Sequence, residues 1–209
     1  MTRVCLAFLS LILSLSAWGQ DYPSKPVTMI VPFPPGGVAD LTARPLAPAM
    51  EKVLGQPVLI VNRSGAGGQV GMTAVAKSAP DGYTIVLSSL SAYAIGPRLV
   101  KDAPYDPVAD FTAIGGVAIA PTILTVNPSL PVRTLQELIQ HAKANPGKLS
   151  YGSSGIGSVA HISAEVLRAS TGVELVHVPY KTAAAAYPDV MSGQVSMVFD
   201  ALPSAIQHI

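Results

Sequence analysis

The sequence predicts an α/β protein organised as two lobes. Short apolar runs, which are typical of buried strands, alternate with segments that have the longer apolar spacing of helices, and this order predicts parallel sheets. The alternation breaks near Pro121 and then resumes, which predicts a second unit of the same kind. The 209 residues, 49% of them hydrophobic, suffice for two small lobes with a sizeable core.

The first unit is predicted to contain three strands and two helices. Pro45 and Pro48 lie inside the first helix, and interior prolines remove hydrogen bonds, so this helix is expected to be bent or irregular. The predicted strands are 27–31, 57–61 and 84–87, and the predicted helices are 40–54 and 70–77.

The second unit shows the same alternation of predicted strands and helices. Thr134 with Glu137 three residues later predicts a capping box, and Asn145-Pro146-Gly147 predicts the end of that helix. The predicted strands are 119–126, 149–151, 174–178 and 195–199, and the predicted helices are 134–144, 159–169 and 183–191.

The N-terminus, residues 1–19, is predicted to be a signal peptide. A short positive segment, 1–3, precedes the apolar run 4–15, and small residues at Ala17 and Gly19 predict cleavage after Gly19. The run is shorter than the roughly 20 residues of a membrane anchor. The mature chain is therefore expected in the periplasm, without insertion into the membrane and without Cys5, the single cysteine.

Charge and motifs exclude several classes of function. The net charge is +1 and no basic cluster occurs, so a nucleic-acid partner is not expected. The four histidines lack metal-ligand spacing, no phosphate-loop motif occurs, and Ile156 stands where a nucleophile elbow around Ser154 would need glycine. We expect no cofactor, no metal and no catalytic residue.

Three predicted strand-to-helix turns are unusually rich in glycine, proline and serine: Pro34-Pro35-Gly36-Gly37, Gly65-Ala66-Gly67-Gly68 and residues 152–158. Such turns lie at the carboxyl ends of strands, where open α/β proteins bind ligands. Free backbone amides at a helix N-terminus attract anions. Any one of these loops is equally well explained as a tight turn, but the three together favour an anion site.

His161 and Asp200 are further candidates. One of the three serines Ser153, Ser154 and Ser158 is expected to be the N-cap of the helix that follows. If it is Ser158, His161 lies in the first helical turn, where the helix dipole is expected to favour a neutral ring that can donate a hydrogen bond to a carboxylate. Its alternative is an exposed histidine without a role. Asp200 follows a predicted strand and could accept a hydrogen bond from a ligand amine or hydroxyl, or it could cap the segment 201–209.

Seven motifs follow one another along the chain: PFPPGGVAD, VNRSGAGGQVG, PDGYT, YDPVADF, ELIQHAKANPGKLSYGSSGIGSVAH, HVPYK and SGQVSMVFD. In this order, from Tyr22 onward, they closely resemble the Bug-type family, the periplasmic solute-binding proteins of tripartite tricarboxylate transporters. The resemblance implies a two-lobed, clamp-like periplasmic binding protein fold of type II. It also implies a small organic carboxylate as ligand and the permease subunits of such a transporter as membrane partners.

The matching motifs imply a set of ligand-binding residues that agrees with the analysis of the loops. Neutral donors at helix ends can hold a carboxylate without an arginine. The candidates are Pro35, Gly36, Gly37, Asp40, Gly67, Gly68, Ser153, Ser154, Gly157, Ser158, His161 and Asp200.

The chain departs from the family in two further respects. Thr182 stands where a glycine usually follows the VPYK motif, so it could narrow the pocket or strain the turn. Family members are also longer, which predicts that lobe 1 (20–121) is incomplete beside lobe 2 (122–209). The alternative to a receptor is a secreted α/β enzyme acting on a small phosphate- or carboxyl-bearing substrate.

Overall fold

A computed structural model of the chain describes residues 22–99 and 102–208, so the predicted signal peptide lies outside the described residues. Two separate sheets are present, one on each side of Pro121. The first has three parallel strands in the order β2-β1-β3, and the second has four in the order β4-β7-β5-β6. The lobe boundaries remain a prediction.

The first sheet is built around its central strand, β1. The strands are β1 (Val27–Val31), β2 (Val58–Asn62) and β3 (Thr84–Val86). Val27, Met29 and Val31, on one face, are at most 1% exposed, and Ile30, on the other, is 4% exposed, as expected for a strand covered on both faces. The helices are α1 (Val38–Leu54), α2 (Gln69–Ala76) and α3 (Gly96–Leu99), with a 3-10 turn at Ala66–Gly68 and a π-helical turn at Ser91–Ile95.

Helix α1 packs on this sheet through two alanines, Ala43 and Ala47, which are nearly solvent-free. It is continuous through Pro45 and Pro48 and ends at Gly55, whose left-handed conformation lets its N–H reach the Glu51 carbonyl. The π-helical turn and α3 were not predicted, because Gly96-Pro97 is an unfavourable composition for a helix.

The second sheet comprises β4 (Thr122–Val126), β5 (Leu149–Ser153), β6 (Leu175–Pro179) and β7 (Met197–Ala201). Neighbouring residues of β7 enter different apolar clusters: Met197 packs with Tyr151, and Val198 packs with Tyr187. Both faces of the sheet are thus covered. The helices are α4 (Leu135–Ala144), α5 (Val159–Thr171), α6 (Tyr187–Ser192) and α7 (Leu202–Ala205).

One strand corrects the prediction of parallel sheets: β4 pairs antiparallel with β7. It enters directly from the segment that joins the lobes and not through a crossover helix, so its direction is not constrained to be parallel. The strand also begins at Thr122 and not at residue 119, and Ile119 is 99% exposed. The predicted helix 183–191 is divided into a 3-10 turn, Ala184–Ala186, and α6.

The helix caps agree with the sequence. Thr134 and Glu137 form the predicted capping box of α4. Thr182 is not in the left-handed region, and its Oγ1 accepts a hydrogen bond from the Ala185 N–H at 3.1 Å, so the turn accommodates it. Over the described part of the chain, the helices are too short or too polar to cross a bilayer.

Candidate functional site

A cleft of about 2520 Å³ is lined by loops of both lobes. This exceeds the roughly 300–1,000 Å³ of ordinary small-molecule sites, so a small ligand would occupy only part of it. Lobe 1 contributes residues 37–39, 64–68 and 88–91, and lobe 2 contributes residues 158–160, 179–184 and 199–201, among others. Most of these segments follow the carboxyl end of a strand, as predicted.

The lobes approach each other at glycines. A Cβ built on Gly67 would lie 3.4 Å from the Ile156 carbonyl oxygen, and one on Gly157 would lie 3.2 Å from Leu99 Cδ1. The Gly-rich loops before α2 and α5 therefore face each other, and larger side chains would push them apart.

Helices α1 and α2 both begin on a glycine N-cap, Gly37 and Gly68, and neither N-cap makes a side-chain hydrogen bond. Both glycines line the cleft. The N–H groups of a first helical turn have no partner within the helix. The start of α1 therefore offers backbone donors and the positive end of its helix dipole to the cleft. At α2 the N–H groups of Gly68, Gln69 and Val70 already donate to carbonyl oxygens of Gly65 and Ala66, so this helix contributes its dipole.

Asp40 organises the first of these loops. Its carboxylate is 1% exposed and accepts from the Gly36 N–H at 2.9 Å, from Arg44 Nε at 2.8 Å and from Asn62 Nδ2 at 3.0 Å. Burial would raise the pKa of this carboxyl, but the hydrogen bonds from Gly36, Arg44 and Asn62 outweigh it and lower the pKa. Asp40 does not line the cleft, so it positions the loop and leaves ligand contact to its neighbours.

The loop before α2 has an unusual backbone. Four successive residues, Gly65 to Gly68, have positive φ, and Ala66 does so at 46° without being glycine. At Gly68 a Cβ would lie 2.7 Å from Ala92 Cβ, so glycine is required there by packing as well as by φ. Glycine at this position thus lets the start of α2 pack against the π-helical turn.

The loop before α5 is held by side chains. Of the three candidate serines, Ser158 is the N-cap, and its Oγ accepts from the His161 N–H at 3.2 Å. Ser158 lines the cleft, whereas the His161 ring does not; its Nδ1 accepts from the Gly157 N–H at 3.4 Å. His161 therefore stabilises the loop in this structure, and its contact with a ligand stays a prediction.

Ser153 and His177 form a pair beneath the same loop. Ser153 Oγ lies 2.6 Å from His177 Nε2 and accepts from the Gly155 N–H at 3.0 Å. A serine beside a histidine is also the arrangement of a nucleophile and its base. Ser153, however, is 0% exposed, so a substrate cannot reach its hydroxyl. The pair holds the loop and does not indicate catalysis.

A polar chain supports His177 from behind. The His177 ring stacks on Tyr151 at 4.9 Å between centroids, and the Tyr151 hydroxyl donates to Glu165 at 3.0 Å. Arg168 donates to the same carboxylate at 2.7 Å. Burial would raise the pKa of Glu165, but the hydrogen bonds from Arg168 and Tyr151 lower it. Glu165 is thus held ionised by its partners.

Asp200 lies at the end of β7, and the segment around it lines the cleft. It is 8% exposed; Oδ1 accepts from the Ala201 N–H at 2.8 Å, and within the described structure Oδ2 is enclosed without a hydrogen-bond partner. Burial raises the pKa of this carboxyl, against hydrogen bonds from Ser204 and Ala201 that lower it. Asp200 is not the cap of the following helix, because the N-cap of α7 is Ala201 and it has no side-chain cap. A contact of Asp200 with a ligand stays a prediction.

The structure divides the twelve candidates into two groups. Those that line the cleft are Gly37, Gly67, Gly68, Ser154, Ser158 and Asp200. Those that do not line it are Pro35, Gly36, Asp40, Ser153, Gly157 and His161.

The sequence analysis missed several residues that line the cleft: Ser89, Ser91, Tyr93, His177, Tyr180 and Lys181. The pair of serines, 88 and 89, follows β3 after one intervening residue, Leu87, and is a signal like that of the other loops, but no helix was predicted after it. His177 and Lys181 lie in the HVPYK motif, which contributed to the resemblance without being assigned a role.

Comparisons with known proteins agree with this fold. Protein BugT of Bordetella pertussis is 42% identical over 191 residues, which are 91% of this chain and 59% of BugT. The structure of Rpa4515 from R. palustris with adipate is 38% identical with a TM-score of 0.83, over 88% of this chain and 62% of that one. The periplasmic binding protein BugD is 36% identical with a TM-score of 0.79, over 90% of this chain and 62% of BugD.

The chain thus spans less than two thirds of the length of these relatives. Their structures confirm the α/β periplasmic binding protein fold. The model of the family described as "Tripartite tricarboxylate transporter family receptor" matches residues 42–209. That family consists of receptors, which agrees with a binding protein and not with the enzyme kept as an alternative. The chain therefore belongs to the tripartite tricarboxylate transporter receptor family, with Bug-type proteins among its relatives.

Proposed function

We propose that the protein is a periplasmic receptor that captures a small organic carboxylate in the cleft between its lobes and delivers it to the permease subunits of a tripartite tricarboxylate transporter. The observation that carries the proposal is the start of α1 at Gly37, which lines the cleft without a side-chain cap, beside the positive dipole end of α2 at Gly68. Backbone donors at helix N-termini suit a carboxylate group.

Lobe 2 supplies further donors to the same space. The Ser154 and Ser158 side chains belong to residues that line the cleft, and the ammonium group of Lys181 adds a positive charge. A ligand held between these residues and the start of α1 would contact both lobes. Binding by both lobes is what a clamp needs, because closure then adds contacts that neither lobe makes alone.

The ligand class is inferred from this chemistry and from one relative. The related structure solved with adipate contains a dicarboxylate. The two helix starts and the loop before α5 provide separate places for two carboxyl groups. We therefore propose a small dicarboxylate or a related organic acid as the ligand, with Gly37, Gly68 and Ser158 as direct contacts.

Calorimetric titration of the protein with a panel of mono- and dicarboxylates tests the proposal. The matched controls are the corresponding neutral amides, which keep the shape of each acid and remove its charge. We expect at least one acid to bind while its amide does not. Equal binding of acid and amide, or no binding by any acid, contradicts a carboxylate receptor. Mass spectrometry of the recovered ligand should find it unchanged, since conversion would indicate an enzyme.

Delivery to a permease needs a separate measurement. Uptake of the radiolabelled acid is compared in cells that express the permease with and without the receptor. Uptake should require both proteins. Uptake that is independent of the receptor would leave binding intact and contradict the delivery step.

A further inference from the structure

His177 is the imidazole that lies at the cleft, on the edge strand β6. Three described side chains contact it or lie beside it: Tyr151 stacks on its ring, Ser153 Oγ lies 2.6 Å from Nε2, and the His161 ring lies 4.7 Å away between centroids. The Glu165 carboxylate, on α5 like His161, also acts on its charge, and Arg168 donates to that carboxylate.

Ser153 can satisfy both protonation states of His177. When the ring is neutral with a free Nε2, the Ser153 hydroxyl donates to it. When Nε2 carries a proton, it donates to Ser153 Oγ, and the serine proton can turn to the Gly155 carbonyl oxygen at 3.3 Å. The Gly155 N–H donates to Ser153 Oγ in either case. Protonation of His177 therefore costs no hydrogen bond and moves no heavy atom.

The surroundings favour the neutral ring before an anion arrives. Burial lowers the pKa of His177, the neighbouring His161 lowers it further, and Glu165 opposes both. An anion bound against the cleft face of the ring would favour the charged form, because opposite charges attract more strongly where water is partly excluded.

The charged side chains that line the cleft do not by themselves attract an anion, so a positive charge gained on His177 would favour binding. Among the described residues that line it, the side chains with a carboxyl or ammonium group are Lys181, Asp110 and Asp200. Burial raises the pKa of Asp200, but even with this carboxyl neutral, Asp110 balances Lys181 and no positive excess is left for an incoming anion. A dicarboxylate would enter a lining that is already short of positive charge, so a proton gained with the ligand would offset part of the repulsion.

We propose that His177 couples capture of the carboxylate to uptake of a proton, so that the receptor binds its ligand more tightly as the pH falls. This inference rests on the proposed function, since it concerns the same cleft and the same class of ligand. In the complex the added proton resides on His177, where Nε2 donates a hydrogen bond to Ser153 Oγ. Between the pKa values of the free and the bound protein, affinity changes by up to about tenfold per pH unit.

Titration calorimetry in two buffers of different ionisation enthalpy measures the proton taken up on binding. The probe is adipate, or the tightest acid of the panel if adipate does not bind, and the pH runs from 6 to 8. Wild-type protein should take up a fraction of a proton that approaches one within this range. His177→Gln can still hydrogen-bond Ser153 but cannot titrate there, so it should bind with weaker, pH-independent affinity and without proton uptake.

His141→Gln, on α4 and away from the cleft, is the matched control and should take up the same number of protons as wild type. His161→Gln removes the second histidine of the pair and shows whether the proton is carried there. Uptake that persists in His177→Gln, or that is lost only in His161→Gln, overturns the inference while carboxylate binding stands. Failure of every acid to bind overturns the proposed function and the coupling together.

Discussion

The two lobes organise their cleft loops by different chemistry. In lobe 1 the loop 34–40 is tied to the ionised Asp40, whose partners are a backbone amide, an arginine and an asparagine. In lobe 2 the loop 153–158 is tied to Ser153 and His177, neither of which carries a fixed charge. The cleft loop of lobe 1 is thus held by a permanent ion pair, and that of lobe 2 by a neutral pair of which one member, His177, can gain a proton.

This difference separates the response of the lobes to pH. The pKa of Asp40 is held below its ordinary value of 3.8, so its contacts are constant at neutral and mildly acidic pH. Burial lowers the pKa of His177 from its ordinary value of 6.5, so its charge in the ligand-free protein changes below that pH. A protein whose pH response sits in one lobe can change its affinity without loosening the other.

The largest effect is expected from Asp40→Ala. Removal of this buried carboxylate leaves the Gly36 N–H and the Asn62 amide without their acceptor, and it should lower the free energy of unfolding by about 2–4 kcal/mol. Chemical denaturation measures this value. Arg44→Met should cost clearly less, because the Arg44 side chain is 58% exposed. Equal losses in both variants would show that Asp40 contributes to stability through its ion pair with Arg44 and not through its contacts with the loop.

Two glycines behind the cleft loops test packing in each lobe. A Cβ on Gly71 would lie 2.7 Å from the Arg63 carbonyl oxygen, and one on Gly152 would lie 2.5 Å from Ala186 Cβ. Gly71→Ala and Gly152→Ala should each destabilise the protein by about 1–3 kcal/mol in denaturant titrations. Gly172→Ala is the control, since the position is open and only its φ of 73° opposes a side chain. The comparison fails if that control is the most damaging of the three.

A smaller effect concerns pH and stability of the ligand-free protein. Because the folded pKa of His177 is lowered, the folded state binds fewer protons than the unfolded state, and stability present above about pH 6.5 is lost as the pH falls through the folded pKa. The thermal unfolding temperature of the wild type should therefore fall more in this pH window than that of His177→Gln. Parallel declines would assign the pH effect to other groups. Asp40, with its lowered pKa, should contribute only in stronger acid, where its stabilisation is lost.

The smallest effect is expected from Lys181→Met. The Lys181 side chain is exposed, so its attraction for a carboxylate is screened by water and salt. Affinity should fall by about two- to fivefold at low ionic strength and less at high ionic strength, as measured by calorimetry. An effect that is the same at both ionic strengths would indicate a packing role for the side chain.

Much of the fold could be predicted because local physics determines it. The apolar run of β1, the capping box at Thr134 and the serine cap at Ser158 depend on neighbours within a few residues, so the sequence alone identifies them. The three glycine-rich loops were recognised for the same reason, since glycine and proline restrict the backbone wherever they stand.

The roles of individual side chains depended on contacts that are distant in sequence. Ser153 and Ser154 are adjacent, yet Ser153 is enclosed with His177, 24 residues away, whereas Ser154 lines the cleft. The Asp40 carboxylate accepts a hydrogen bond from Asn62, which is 22 residues away. Strand β4 runs antiparallel to β7, which is more than 70 residues further along the chain. The sequence by itself determined where helices begin and where amides can be exposed. Tertiary structure decided which polar groups face the cleft, because burial and long-range hydrogen bonds are properties of the packed chain.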